Sequence, residues 1–330
     1  MNSKVDLGYL QNKSIDLACE YLARGGAVAI PTETVYGLAA DATNDLAIAN
    51  VYVIKNRPSF NPLILHTCSL ERAAMFGVFS SQALALAEQF WAPGHPNHCP
   101  LTLVVPLQQG HGISELATAG LATAAIRVPN HPLTNKLLRA YPNPLAAPSA
   151  NISTRISATN AEIVREALGD KIPHIIDGGQ CAIGIESTII DASVEPFTIL
   201  RHGGTPTELI ERVLGYAPLP ADIGDVIKSP GLMKRHYAPS IPLYMNQCER
   251  DAEAGDAFLG FGGECRSPHN LSPAGSLIEA AANLFRMLHE MDDPAKFNAI
   301  RVAPIPMRGI GLAINDRLQR AAVPAGLSCV

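Results

Sequence analysis

Lys55-Asn56-Arg57-Pro58 places a point charge and a planar fork two residues apart, where a helical pattern breaks. That pair suits the oxygens of a polyphosphate. As a solvated helix end favoured by the helix dipole, the same four residues need no ligand. Arg127 stands inside a strand-like apolar run, Thr123-Ala124-Ala125-Ile126-Arg127-Val128. A guanidinium there requires an anion, because burying it alone is costly, and an internal carboxylate or a bound one meets the requirement equally well. Pro31-Thr32-Glu33-Thr34-Val35-Tyr36-Gly37-Leu38 follows a predicted strand, where α/β sheets place their ligands. Its hydroxyls, carboxylate and glycine can line a polar pocket or form a capped turn.

Other candidates are spread along the chain. Asn61 and His66 bracket the Pro-Leu-Ile-Leu run and can bond a ligand edge or satisfy a sheet edge. Ala147-Pro148-Ser149-Ala150-Asn151 ends in small polar residues that let a ligand approach backbone amides, or that close a tight turn. Glu186-Ser187-Thr188 opens a strand and Leu200-Arg201-His202-Gly203-Gly204 closes one, with glycines that let backbone come close to phosphate oxygens. There is no GxxxxGK[ST] loop, no GxGxxG after the first strand and no GxSxG elbow, which argues against a P-loop, a dinucleotide fingerprint and an α/β-hydrolase. His95, His98 and Cys99 cluster but lack a fourth ligand at zinc spacing, so structural zinc is not expected.

These residues need elements to hold them. Apolar spacing from Ile15 to Leu22, stopping at Gly25-Gly26, predicts a first helix, and Asn44 can cap a second that reaches Lys55. Helical segments at Ser81–Trp91, Pro132–Tyr141 and Thr159–Leu168 alternate with strand-like Leu101–Val105, Ala124–Val128, Ile172–Ile176, Ser187–Ile190 and Thr198–Leu200. Thr159 with Glu162, Thr205 with Glu208 and Ser276 with Glu279 read as capping boxes, the second with Pro206 at the first helical position. The alternation is α/β. With 330 residues the chain is long for one unit, so a division is expected at 1–214, a Pro- and Gly-punctuated linker at 215–241, and a smaller α/β unit at 242–330.

Composition narrows the function classes. Hydrophobic residues make up 47% of the chain and charged ones 17%, enough to bury cores. A net charge of −5 disfavours a broad nucleic-acid surface while allowing a local cationic pocket. Seven scattered cysteines without a CxxC pair suggest reduced thiols and a cytoplasmic setting. No signal peptide or membrane span is expected from the sequence.

The order of the segments carries more than any one of them. PTETVYGL, KNRP with PLILH, a W..PG...PLT element, AIRVPNHP, APSAN, ESTIID, LRHGG and SPGLMKRHYAP together resemble the threonylcarbamoyl-AMP synthase family, the YrdC-like proteins. The tail Gly309–Ala322 is similar to the ending of the family's long form. The resemblance implies an α/β fold, with a YrdC-like twisted mixed-sheet domain flanked by helices and a smaller Rossmann-like C-terminal domain. It implies that L-threonine, bicarbonate and ATP give threonylcarbamoyl-AMP and pyrophosphate, the adenylate feeding threonylcarbamoylation of tRNA.

On the same ground Thr34, His66, Arg127, the Ala147 backbone and Ser187 would form the threonine pocket. Lys55, Arg57, Asn61, Thr123, Ser149, Asn151 and Arg201 would hold ATP, with Lys55, Arg57 and Ser187 acting at the reacting atoms. Mg2+ would arrive with ATP, held mainly by phosphates and water. The linker's Lys234, Arg235, His236 and Tyr237 suggest a lid, with His236 and Tyr237 touching the nucleotide. Downstream threonylcarbamoyl-transfer proteins would be partners, and direct tRNA binding is not expected.

Two departures from the family pattern stand out: the extra residues His95–Cys99 before Pro100-Leu101-Thr102, and Leu232-Met233 in the linker. Two competing readings are a YrdC-like module that binds RNA or ribosomes without synthase activity, and a carbamoyl-transfer enzyme resembling HypF. The latter's acylphosphatase-like part and CxxC elements are not visible in the sequence.

Overall fold

The computed structural model describes residues 7–92, 98–221 and 236–323. The expected His95 and the linker residues 229–235, with Lys234 and Arg235, lie outside them.

The larger sheet has nine strands among the described residues: β1 (Val28–Ile30), β2 (Gly37–Asp41), β3 (Ile64–His66), β4 (Leu101–Pro106), β5 (Thr123–Arg127), β6 (Leu145–Ala146), β7 (Thr188–Asp191), β8 (Thr198–Arg201) and β9 (Leu219–Pro220). Their spatial order is β1-β2-β6-β3-β5-β4-β7-β8-β9. It is a mixed sheet: β3 with β5, β4 with β7 and β8 with β9 run parallel, the other neighbours antiparallel. Around it lie α1 (Leu7–Ala23), α2 (Asp45–Lys55), α3 (Leu70–Ala73), α4 (Ser81–Phe90), α5 (Glu115–Thr118), α6 (Pro132–Ala140), α7 (Ala161–Leu168) and α8 (Thr207–Leu214). Strand β9 falls inside the segment read as linker and extends this sheet.

The second sheet, β10 (Leu243–Tyr244), β11 (Ala257–Leu259) and β12 (Ile300–Val302), is parallel in the order β10-β12-β11. Helices α9 (Leu277–Met291) and α10 (Gly311–Ala321) complete that unit. Its apolar core takes in Val35, Ile156 and Ile185 from the first unit together with Tyr237, Phe285 and Ile314. One continuous cluster therefore joins the two units, and its burial favours their association.

Local chemistry sets the helix ends. The Asn44 side chain accepts from the Leu46 and Ala47 amides and starts α2. The helix stops where Asn56 turns left-handed at φ 50°, a conformation Asn tolerates. Arg57 is thereby turned out of the helical path.

Four expectations differ. Ile172–Ile176 forms no named strand: Ile175 makes an isolated parallel bridge to Ala29 on the outer edge of β1, with the Ala29 amide donating to the His174 carbonyl and the Ile176 amide to the Ala29 carbonyl. Asn160 rather than Thr159 caps α7, accepting from the Ile163 amide at 2.9 Å. Pro206 occupies the N-cap of α8, leaving no side-chain cap there, and the Thr205 amide donates instead to Thr188 Oγ1 at 3.1 Å. Ser276 does cap α9, but Glu279 turns its carboxylate to the Ser272 hydroxyl at 2.5 Å instead of back to the cap.

Candidate active site

The register of the central strands converges chemistry at one end of the sheet. His66 closes β3 directly beside Arg127, which closes the parallel neighbour β5. Thr102 on antiparallel β4 faces Arg127 from the other side, and Leu101 faces Thr188, next to Ser187. Carboxyl ends of parallel strands are where open α/β sheets take ligands.

A hollow of about 520 Å³, mouth included, opens there. Arg57, His66, Arg127, Ala147, Ser149, Ser187, Arg201, His236 and Tyr237 line it, together with Thr32 and Glu186. Arg127 and Arg201, from separate strands, share this one cavity.

Arg127 is partly spoken for. Its Nη2 donates to Glu33 Oε1 at 2.6 Å and to Thr34 Oγ1 at 2.9 Å, while its Nε is buried with no partner. The internal ion pair is thus present, and the guanidinium still has a donor left over. Burial raises the Glu33 carboxyl, but Arg127 beside it and the hydrogen bonds outweigh that and hold it below the usual range. The Asn130 amide donates to the other Glu33 oxygen at 2.9 Å, which fixes the carboxylate. Thr34 is held by a turn in which the Thr32 hydroxyl donates to the Val35 carbonyl at 2.6 Å.

His66 is buried, and burial with the Arg127 charge pushes it down to about 3, so the ring is neutral at physiological pH. Its Nδ1 lies 3.0 Å from the Ile64 carbonyl, which can only accept. The proton therefore sits on Nδ1 and Nε2 presents a lone pair. The Ala147 amide also donates to Ile64, at 3.0 Å.

Across the cavity, Arg201 donates to the Ser187 carbonyl from Nε at 3.2 Å and from Nη2 at 2.9 Å. Ser187 Oγ accepts from Arg201 Nη2 at 3.2 Å and lies 2.8 Å from Thr102 Oγ1. Arg57 donates to the Asn61 and Pro62 carbonyls, and burial brings it down to about 10. His236 stacks edge-on against Tyr237 with ring centroids 4.0 Å apart. Its Nδ1 is buried without a partner, and burial pushes the ring down to about 3.

Five sequence-predicted residues do not line the hollow. Thr34 reaches it through the lining residues Arg127 and Thr32, its Oγ1 lying 2.8 Å from Thr32 Oγ1. Lys55 Nζ turns to the Ser149 and Asn151 carbonyls, both at 2.5 Å, because two buried loop carbonyls need a donor. Burial drives that ammonium well below its ordinary value, helped by the nearby Arg57 charge. Asn151 donates its amide hydrogens to Ile152 and Arg155 of its own loop, leaving Oδ1 buried without a partner. Thr123 begins β5, about 13 Å along the strand from Arg127 at 3.3 Å per residue. Continuing the β3/β5 register sets Thr123 beside Pro62 and so next to Asn61, whose side-chain amide is fully buried with neither atom bonded.

Sequence reading missed Glu186 and Arg317 as partners. Arg317 Nε donates to Glu186 Oε2 at 2.9 Å, and Ser157 Oγ donates to Oε1 at 2.9 Å. A signal existed: Arg317 stands on the apolar stripe Ala313, Ile314, Leu318, Ala321 of α10. Among the described residues no group of three His, Cys, Asp or Glu side chains is placed to hold a metal ion, and no helix is long and apolar enough to cross a membrane. His98, part of the insertion, lies with Nε2 3.2 Å from the Val128 carbonyl, beside the end of β5.

Comparison with known proteins agrees with this layout. A family model described as telomere recombination matches residues 20–203, and one described as the C-terminal domain of threonylcarbamoyl-AMP synthase matches 206–323. A threonylcarbamoyl-AMP synthase of Pyrococcus abyssi is 37% identical over 95% of both chains. One of Bacillus subtilis is 36% identical over 92% of both. The crystal structure of P. abyssi Sua5 complexed with L-threonine superimposes with a TM-score of 0.83, at 37% identity, covering 93% of this chain and 94% of its own.

Proposed function

The chain belongs to the threonylcarbamoyl-AMP synthase family, enzymes of the nucleotidyltransferase type, and from that premise we propose that it joins L-threonine, bicarbonate and ATP into threonylcarbamoyl-AMP, releasing pyrophosphate. The adenylate would supply a transfer step that modifies tRNA. One observation carries the reading: Arg127 and His66 face Arg57 and Arg201 within a single cavity, so an amino acid and a polyphosphate can meet there. The P. abyssi relative, solved with L-threonine, supports threonine as the amino acid.

Arg127 receives the threonine carboxylate on the donors that Glu33 and Thr34 leave open. His66 Nε2 accepts a hydrogen bond from the ammonium or hydroxyl of threonine, the only kind of bond a neutral ring with Nδ1 committed can make there. The threonine amine, its ammonium proton lost to solvent, adds to bicarbonate carbon, a C–N bond forms, and water leaves to give a carbamate. A carbamate oxygen then attacks the α-phosphorus while the bond to the β-phosphate oxygen breaks, and pyrophosphate carries away the electron pair. Arg57 and Arg201 offset the charge that gathers on the departing oxygens. Holding the partners together converts a three-body encounter into a local one.

The nucleotide extends toward Asn61 and Thr123, with Ser149 and Asn151 along its side. Lys55 acts behind them by fixing the loop through its two carbonyl contacts. His236 and Tyr237 cover the mouth and limit water, which would hydrolyse a carbamate or its adenylate. Magnesium enters with ATP as part of the substrate. The test is pyrophosphate release by the full chain with MgATP. Release that needs threonine and bicarbonate together supports the synthase; release indifferent to either, or none at all, rejects it.

A further inference from the structure

Glu186 lines the hollow immediately before Ser187, yet its carboxylate is held from the other unit. Arg317 on α10 is fully buried and donates to it at 2.9 Å. The same guanidinium donates from Nη1 to the His202 carbonyl at 2.8 Å and to Asp316 at 2.7 Å. Its central carbon lies 5.3 Å from the Tyr237 ring centroid, within cation–π range. Asp316 is shared with Arg320, so the four charges Glu186, Arg317, Asp316 and Arg320 balance.

Without Arg317, Glu186 would keep its charge in a cavity lined by Arg57 and Arg201, with Arg201 the remaining cation that holds its carboxyl down. A buried carboxylate in that position either recruits those cations or repels a polyphosphate. We propose that Arg317 is a positioning residue for the nucleotide: by tying down and neutralising Glu186 from the C-terminal unit, it reserves the charge of Arg57 and Arg201 for the phosphates of ATP. This rests on the reading above in taking the ligand to be ATP.

The relation has a sign that a merely structural bridge lacks. Breaking the pair from its two ends should move ATP affinity in opposite directions. The experiment titrates MgATP and, separately, L-threonine into the full-length chain by calorimetry, for wild type, Arg317→Gln, Glu186→Gln and the double variant, with thermal melts alongside. Arg317→Gln is expected to weaken ATP by about tenfold to a hundredfold, the size of one buried charge at an effective dielectric near 20. Glu186→Gln should bind ATP as tightly as wild type or tighter, and the double variant should return to within about threefold of wild type, with threonine affinity changed by less than that in each, since one charge pair accounts for the effect.

Equal losses in both single variants, with no recovery in the double, would overturn the proposal. Should Arg317→Gln not fold, Glu186→Gln and the double variant decide: retained ATP binding supports it, and a loss beyond about tenfold overturns it. A wild type that does not bind MgATP overturns it as well. Pyrophosphate release is read in parallel, so a chain that shows the opposite-sign pattern yet makes no adenylate rejects the synthase reading alone.

Discussion

Arg127 shows how far residue types alone reach. A guanidinium in the run Ala124–Val128 had to find an anion, and sequence left a protein carboxylate and a ligand carboxylate open; Glu33 turns out to take one amino group while Nε stays without a partner. Arg127→Ala should therefore raise the threonine KM at least tenfold and leave the ATP KM within about threefold, because the loss is confined to one ligand's charge-assisted bonds. Initial rates at varied threonine and varied ATP check this. Equal changes in both would assign Arg127 to the cavity as a whole.

The two buried rings make a separate claim. His66 and His236 sit at about 3 in the folded chain, against an ordinary value near 6.5 when unfolded. The unfolded state then binds more protons through that window, so stability is full above about pH 6.5 and declines as pH falls toward 3, by up to about 1.4 kcal/mol per pH unit for each ring. Melting temperatures from pH 7 to 5 should fall, and His66→Gln should flatten the slope. A slope unchanged by that substitution would mean the ring titrates normally.

At the scale of elements, the site depends on a tight approach that motifs only hinted at. Glycine at 203 was read as room for phosphate, but a Cβ there would lie 2.3 Å from the Ser187 carbonyl carbon and from the Thr188 nitrogen. The glycine serves β7, which passes directly against the end of β8. Gly203→Ala should push Ser187 and Arg201 apart, lowering kcat by an order of magnitude or more and destabilising the chain by about 1–3 kcal/mol, as overpacking does. Wild-type turnover in that variant would contradict the packing.

Helix starts were legible where one polar residue precedes an apolar period, as at Asn44 and Ser276. They slipped at Thr159 and Thr205, where a neighbouring Asn or a proline competed for the cap. Ile172–Ile176 read as a strand because apolar content alone cannot say that its pairing with the edge strand β1 stops at a single bridge. Lys55 misled for a related reason. Its spacing from Arg57 is visible in sequence, but the two loop carbonyls it satisfies come from residues nearly a hundred positions on.

For the molecule as a whole, the family resemblance carried by the order of motifs implied a mixed sheet, and the larger sheet is mixed. What joins the units was not legible. The Arg317–Glu186 bond spans 131 positions, and Val35, Ile156 and Ile185 gave no sign that they pack against the far unit. Truncation after residue 221 should accordingly expose that apolar surface and leave Glu186 without its cation. We expect a chain that aggregates or melts lower and releases no pyrophosphate, measured by light scattering and the same assay; a monomeric, fully active fragment would show the C-terminal unit to be dispensable.

The central claim is that amino acid and nucleotide share one cavity in which carbon from bicarbonate is joined to both. Its most direct measurement is transfer of radiolabelled bicarbonate into a nucleotide product, run with wild type, Arg127→Ala and Arg201→Ala. Label should enter the adenylate only when threonine and ATP are both present, and either substitution should suppress it at subsaturating substrate. Label that appears without threonine, or that is unaffected by both substitutions, would contradict the account.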